Sequence, residues 1–325
     1  MNVLRTRTGS DDSGDERWHG LTKKGNRCRY HAALPAPLIS VLLPVTLPWS
    51  DAAASLASLL AQVDAPPFEI LVLDANRDTI PPVADPRVRW IYVPNANTFQ
   101  LRVAGIAAAR GSIIAVTEDH CIASPNWVAE IAKAHAADRS IALLGPTANH
   151  PDAAIAAIDR ANFILTFAGQ NAKRIDLNVR ALPVPTNLSF KLDALATRDV
   201  TPADLEYRWF QELRKAGQIG IARSVVLQHN QSLGATAPAV HLASGRSFGA
   251  SVRIAPWRHQ LQWWASLPLL PTRLLRLTLP DLVSGAGGVR ASFADFLCLG
   301  LLIAANVCGQ AMGAIAGPGS SRRRL

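Results

Sequence analysis

The sequence predicts an α/β protein built on a mixed, mainly parallel sheet flanked by helices. Three observations predict it: short continuous apolar runs in the first half, helical patterns between them, and a polar cluster at the end of each run. The first run, Leu38 to Val45, is bounded by prolines and reads as a buried strand, followed by a helical pattern from about Asp51 to Val63. Phe68 to Leu73 gives a second strand, Val88 to Val93 a third and Ser112 to Val116 a fourth. Helical patterns occupy Gln100 to Ala109 and Trp127 to Ala137. Strands and helices alternating in this way form βαβ units, whose ligands bind beyond the carboxyl ends of the strands.

After residue 140 the pattern loosens. Ile141 to Gly145 reads as a strand, Ala153 to Phe167 as a helix and Val184 to Lys191 as an extended segment. A periodic helix over Ala203 to Ala216, ended by Gly217, leads into a strand from Ile219 to Leu227 that runs on to His229. The expected organisation is a polar, disordered tail over 1–37, a main α/β domain over 38–235, a linker over 236–256 and a membrane-associated helical region over 257–325. Within that last region, 257–283 carries Trp263, Trp264 and many leucines but is interrupted by Pro268, Pro271, Arg273, Arg276 and Pro280. A central arginine is costly inside hydrocarbon, so the stretch reads as interfacial. The segment 293–316 has one early charge, Asp295, and is long enough to cross a bilayer; a buried helix of a soluble domain fits the same composition.

Composition sets further limits. Hydrophobic residues make up 49% of 325, which excludes a largely disordered chain. The tail lacks the apolar run of a secretory signal, and the four cysteines, Cys28, Cys121, Cys298 and Cys308, lack paired metal-ligand spacing, so they read as reduced thiols at the cytoplasmic face. A net charge of +9 invites a nucleic-acid reading. The basic residues, however, gather after residue 245 among apolar and tryptophan-rich segments, which favours anionic lipid and leaves no nucleic-acid partner expected.

The strand ends carry the chemistry: Pro44, Val45 and Thr46; then Asp74, Ala75 and Asn76; then Pro94 and Asn95; then Glu118, Asp119 and His120. In Thr117-Glu118-Asp119-His120-Cys121, an extended chain points Glu118 and His120 the same way, so a carboxylate and an imidazole can hold Mn²⁺ or Mg²⁺ against a diphosphate. The same acids also fit a solvated loop capping the helix that begins near Pro125. No Gly-x-Gly-x-x-Gly follows the first strand, which disfavours a dinucleotide site.

The order of Ile39-Ser-Val-Leu-Leu-Pro-Val45, Glu69-Ile-Leu-Val-Leu-Asp-Ala75, Arg102-Val-Ala-Gly105 with Ala108-Ala-Arg-Gly111, and Thr117-Glu-Asp-His120 with Pro125-Asn-Trp127 resembles glycosyltransferase family two. The resemblance implies a GT-A fold, a nucleotide-diphosphate-sugar donor and an inverting displacement. It places Asp74 at the base-recognising aspartate, Pro44 to Thr46 beside the base, and Arg102 in the helix lining the donor site. Asn76, Asn95 and Asp119 join the nucleotide-sugar set, and Glu118 to His120 fall on the metal motif, with glutamate and histidine in place of its first and last aspartates. Counting back from Arg214-Lys-Ala-Gly217 puts the catalytic base at Glu206, with Asp204 two residues away; acids there also suit a helix's first turn. His229 matches a histidine that approaches the metal or diphosphate, Asn187 sits where acceptor-side residues lie, and Gly245-Arg-Ser-Phe248 resembles a membrane-linking segment whose Arg246 meets a phosphate. The expected acceptor is a saccharide or lipid-linked hydroxyl in the cell envelope. The rival expectation is a non-catalytic membrane protein that keeps the fold to sense nucleotide sugars, motivated by the altered acidic motif and by Ala75.

Overall fold

The computed structural model describes residues 35–46, 48–76, 83–175, 185–196, 198, 200–201, 209–253 and 256–319. In chain order the first half runs β1 (Ile39–Val45), α1 (Trp49–Leu60), β2 (Phe68–Asp74), β3 (Val88–Tyr92), α2 (Thr98–Ala108), β4 (Ile113–Val116), β5 (Cys121–Ala123) and α3 (Trp127–Ala137). It continues with β6 (Ala142–Leu144), β7 (Thr147–Asn149), α4 (Ala157–Thr166), β8 (Gln170–Asn171), β9 (Arg174–Ile175), β10 (Leu188–Lys191), α5 (Trp209–Lys215), β11 (Ile219–Ile221) and β12 (Leu227–His229). Four helices close the chain: α6 (Ala237–Val252), α7 (Trp257–Ser266), α8 (Leu270–Val283) and α9 (Phe293–Ala316).

Among the described residues, one sheet has the order β11-β6-β10-β4-β1-β2-β3, with β10 antiparallel to both neighbours and the other pairs parallel. Strands β1 and β2 are apolar without alternation because helices cover both faces. Val41, Leu43, Ile70 and Val72 pack with Leu56 and Leu59 of α1 and Ile131 of α3; Leu42, Leu71 and Leu73 pack with Leu101 of α2 and Phe210 and Leu213 of α5. Each such side chain contributes roughly 1.5–3 kcal/mol on burial. Pro44 is tolerated in this central strand because the β4 ladder ends at Leu42, so its missing N–H faces no partner there.

A second sheet, ordered β5-β12-β7-β8-β9, sets His229 opposite Cys121 and Asn149. Here the expected strand from Ile219 to Leu227 divides. A turn closed by the Val225 N–H on the Ala222 carbonyl sends β11 into the large sheet and β12 into the small one. The expected helix from Ala153 likewise begins as a 3-10 turn over Pro151–Ala154 before α4. The ending of α5 is as the sequence predicts: Gly217 has φ +65°, and the Gln218 N–H reaches the Leu213 carbonyl.

The expected linker over 236–256 is largely the helix α6. Its glycines and serines are small because α6 packs in parallel on α9: a Cβ on Gly245, Gly249, Gly309 or Gly313 would overlap the facing backbone at Asn306, Gln310, Leu242 or Arg246. The segment expected to be interfacial folds as α7 and α8, with Pro268 and Pro271 accommodated at first turns and Pro280 inside α8. Among the described residues α9 is the one helix long and apolar enough to cross a bilayer. Residues 34–325 form one compact unit, so the helical region is not a separate body.

Candidate active site

The carboxyl ends of β1, β2 and β4 are tied together by polar bonds. The backbone N–H of Thr46, just past β1, donates to Asp119 Oδ2 at 2.7 Å, and its hydroxyl reaches the same oxygen at 3.3 Å. Asn76 Nδ2 donates to the Thr46 carbonyl at 3.0 Å, and the Asn76 N–H donates to Asp74 Oδ1 at 2.8 Å. Ser55 of α1 holds the Asp119 carbonyl at 2.8 Å. The loop from Thr117 to His120 is thus fixed from two strands and a helix, which pre-positions its side chains.

Those side chains form a charged chain. Arg102 Nη2 of α2 lies 2.8 Å from Glu118 Oε1; Glu118 Oε2 lies 3.3 Å from His120 Nε2; His120 Nδ1 lies 2.9 Å from Asp119 Oδ1. Glu118 and His120 converge as expected, but by a different route: the segment does not stay extended, and a turn closed by the Cys121 N–H on the Glu118 carbonyl at 3.0 Å brings them together. Burial works against the Glu118 charge, yet the hydrogen bond and charge of His120 and the charge of Arg102 hold its carboxyl well below the usual range. Burial likewise opposes a charged His120, but its bonds to Asp119 and Glu118 raise it to about 9. His229, buried and in edge contact with the His120 ring at 4.7 Å, is lowered to about 3 by burial, with the His120 charge adding to the effect. A neutral imidazole keeps a free lone pair.

Glu118, His120 and His229 open into a cleft of about 400 Å³ that Pro44, Thr46 and Asp119 also line. Its far wall comes from Asn162, Thr166 and Phe167 at α4, Thr186, Gln231, and His241 and Ser244 of α6. His241 Nε2 lies 2.9 Å from Asn162 Oδ1, joining the two helices. A larger cavity of about 990 Å³ lies at the amino ends of β1 and β4, lined by Leu38, Ile113, His135 and Lys191 among others. It holds none of the strand-end acids, so volume alone does not choose the site.

The donor set suits a divalent cation. Ligand atoms of Glu118, His120 and Cys121 lie within 4.8 Å of one another, and His229 Nδ1 is buried without a partner beside them. A buried, unpartnered nitrogen beside a carboxylate and a second imidazole is a donor set of the chemistry a divalent cation takes. Cys121 contributes less, because burial and the nearby acids push its thiol well above its usual value and keep it protonated.

The remaining expected residues are placed as follows. Asp74 and Asn76 lie behind Thr46 and do not line the cleft; Arg102 stands behind Glu118 as its counter-charge. Asn95 occupies an exposed turn at φ +56°, a conformation asparagine tolerates, ahead of the Asn97 cap of α2. Asn187 is consumed by structure: its amide donates to the Pro146 and Val225 carbonyls, and its oxygen accepts from the Trp127 indole at 3.0 Å. Arg246 bonds the Gly317 carbonyl at 3.0 Å and lies outside the cleft. Asp204 and Glu206 lie outside the described residues. The wall residues of α4 and α6 escaped the sequence reading because the strand-end rule points only to loops after strands.

This sheet order, with its acid-rich loop after β4, defines a GT-A-like fold. Residues 40–187 match the family model described as glycosyl transferase family 2. Among solved structures, S. aureus TarS residues 1–349 aligns at 11% identity with a TM-score of 0.42, over 88% of this chain and 92% of that one. The same protein in complex with UDP aligns at 14% identity with a TM-score of 0.43 over the same shares. No curated protein matches the chain.

Proposed function

We propose that the protein transfers a sugar from a nucleotide-diphosphate donor to an acceptor hydroxyl with inversion at the anomeric carbon. The observation that carries this reading is the meeting of Glu118, His120 and His229 at one cleft, the first two in a stretch that matches the family 2 glycosyltransferase model. Glu118 and His120, with His229, are the residues that would hold Mn²⁺ or Mg²⁺, which supplies positive charge to the departing diphosphate. Asp119 and Arg102 orient that set: Asp119 through His120 Nδ1 and the Thr46 N–H, Arg102 through Glu118. Pro44 and Thr46 face the donor, with Asp74 and Asn76 bracing the base-side loop and Asn95 at its rim. Glu206, seconded by Asp204, takes the proton from the attacking hydroxyl.

The acceptor is a lipid-linked or other envelope saccharide presented at the cytoplasmic face of a membrane, a reading motivated by the exposed tryptophans and leucines of α7 to α9. The test is transfer and donor hydrolysis with Mn²⁺ or Mg²⁺, repeated with Glu118→Gln and Glu206→Gln. Metal-stimulated turnover that both substitutions abolish supports the reading. Absence of turnover with every sugar nucleotide, in a protein that still binds one, leaves a non-catalytic sensor and rejects the transferase.

A further inference from the structure

Helix α9 has the length of a membrane span, yet its inner face is held by the rest of the protein from end to end. At its start, Asp295, 1% exposed, accepts from Arg160 Nε of α4 at 2.7 Å. In the middle, Leu299, Leu302 and Ile303 pack with Phe163 and Phe167. Further on, Gly309 and Gly313 interlock with Leu242 and Arg246 of α6, and the Gly317 carbonyl accepts from Arg246. A bilayer around α9 in this arrangement would take in α6 with Arg246, and α4 with Asp159 and Arg160, whose charges hydrocarbon excludes.

The outer face of α9 is apolar along its length: Phe293 at 77% exposure, Leu297, Leu301, Met312 and Ile315. Adjoining it, α7 and α8 expose Trp257, Trp264 and Leu279. Exposed charge along these helices and their ends has one sign. Arg253, Arg258, Arg273, Arg276 and Arg290 are exposed, while the one acid between residues 253 and 294, Asp281, is fully buried against Arg174 at 2.8 Å.

We propose that α7, α8 and α9 form a monotopic anchor that lies in the plane of an anionic bilayer surface, with α9 along the membrane and not across it. Apolar side chains enter the headgroup boundary and the arginines meet lipid phosphates. Because α6 both walls the cleft through His241 and Ser244 and interlocks with α9, the surface that meets lipid is rigidly joined to the site. This deepens the membrane part of the proposed function, and its test is independent of sugar transfer.

The full chain is sedimented with vesicles of phosphatidylcholine alone and of phosphatidylcholine mixed equally with phosphatidylglycerol. Binding should require the anionic lipid and be released by high salt without detergent. The triple variant Arg258→Gln/Arg273→Gln/Arg276→Gln should bind about a hundredfold more weakly, at roughly fivefold for each cation removed. Leu297→Gln/Leu301→Gln should weaken binding while its thermal melt stays near that of the parent, which separates lost docking from lost folding. Equal binding to both vesicles, or retention through high salt until detergent is added, overturns the proposal in favour of an inserted helix. Vesicle binding unchanged by Leu297→Gln/Leu301→Gln, with a dimer becoming a monomer in light scattering, overturns it in favour of self-association.

Discussion

The two ends of the central sheet are both built from buried charge, and they differ in what is left over. At the amino end, Glu69 accepts from the Ser40 hydroxyl, from the Arg110 N–H and from Arg89, and Gly111 donates to Ser40; no atom of this network is buried without a partner. At the carboxyl end, Glu118, Asp119, His120 and Arg102 form an equally dense network, yet Arg102 Nε, Thr117 Oγ1, Thr186 Oγ1 and His229 Nδ1 are buried and unpaired around it. A closed network serves the fold. One that leaves buried polar atoms unmet costs the fold free energy, which a ligand meeting them would recover.

The contrast is open to breaking by substitution. The largest effect is expected at the proposed base: Glu206→Gln should lower kcat by about 10²- to 10⁴-fold while the melting temperature stays unchanged. Arg102→Ala should act on both properties, since it strands the Glu118 carboxylate. The expected loss is about 3–5 kcal/mol in denaturant unfolding, together with weaker metal stimulation. If Arg102→Ala is neutral to stability, Arg102 is not the counter-charge that holds Glu118.

Outside the closed Glu69 network, the amino-end cavity holds one histidine whose Nδ1 is buried without a partner, and it should respond to acid. His135, bonded to Ser189 at 2.9 Å, is lowered to about 4 by burial, with the Lys191 charge adding to it. Its folded value lies below its ordinary 6.5, so above pH 6.5 it contributes nothing to the pH dependence. As pH falls from 6.5 towards 4 the unfolded chain takes up a proton that the folded one refuses. This histidine should take about 3 kcal/mol off stability across that window, and His135→Gln should make the fall shallower, with the buried His229 and His241, lowered in the same way, keeping the rest. The smallest effect is Gly111→Ala: its Cβ would stand 2.6 Å from the Ser40 backbone nitrogen, costing about 1–3 kcal/mol. The folded fraction should keep full turnover, and a specific loss of kcat in that variant would erase the distinction between the two ends.

Much of the carboxyl end is legible in the sequence because it depends on local pattern. Apolar runs such as Ile39 to Val45 announce strands buried on both faces, and the polar cluster at the end of such a run announces Glu118 and His120, although a turn and not an extended chain brings the two together. The motif residues Glu69, Arg110 and Gly111 are legible too, but they close the sheet's amino end and do not touch the cleft. What stays hidden is set by contacts distant in the chain. The small residues of 245–249 look like a linker until α9, some sixty positions later, interlocks with them. Asn187 looks like a ligand group until Trp127, Pro146 and Val225 claim its amide. His241 gains its place in the wall only through Asn162.

The most direct test is a thermal shift of the full chain with UDP, GDP and dTDP, each with and without Mn²⁺, in the parent and in Glu118→Gln and His229→Ala. A nucleotide bound through a cation in this cleft raises the melting temperature only when Mn²⁺ is present, and both substitutions remove the increment, Glu118→Gln from a lowered unliganded melt because it takes the counter-charge from Arg102 and His120. An equal shift without Mn²⁺, or one that survives both substitutions, contradicts the account.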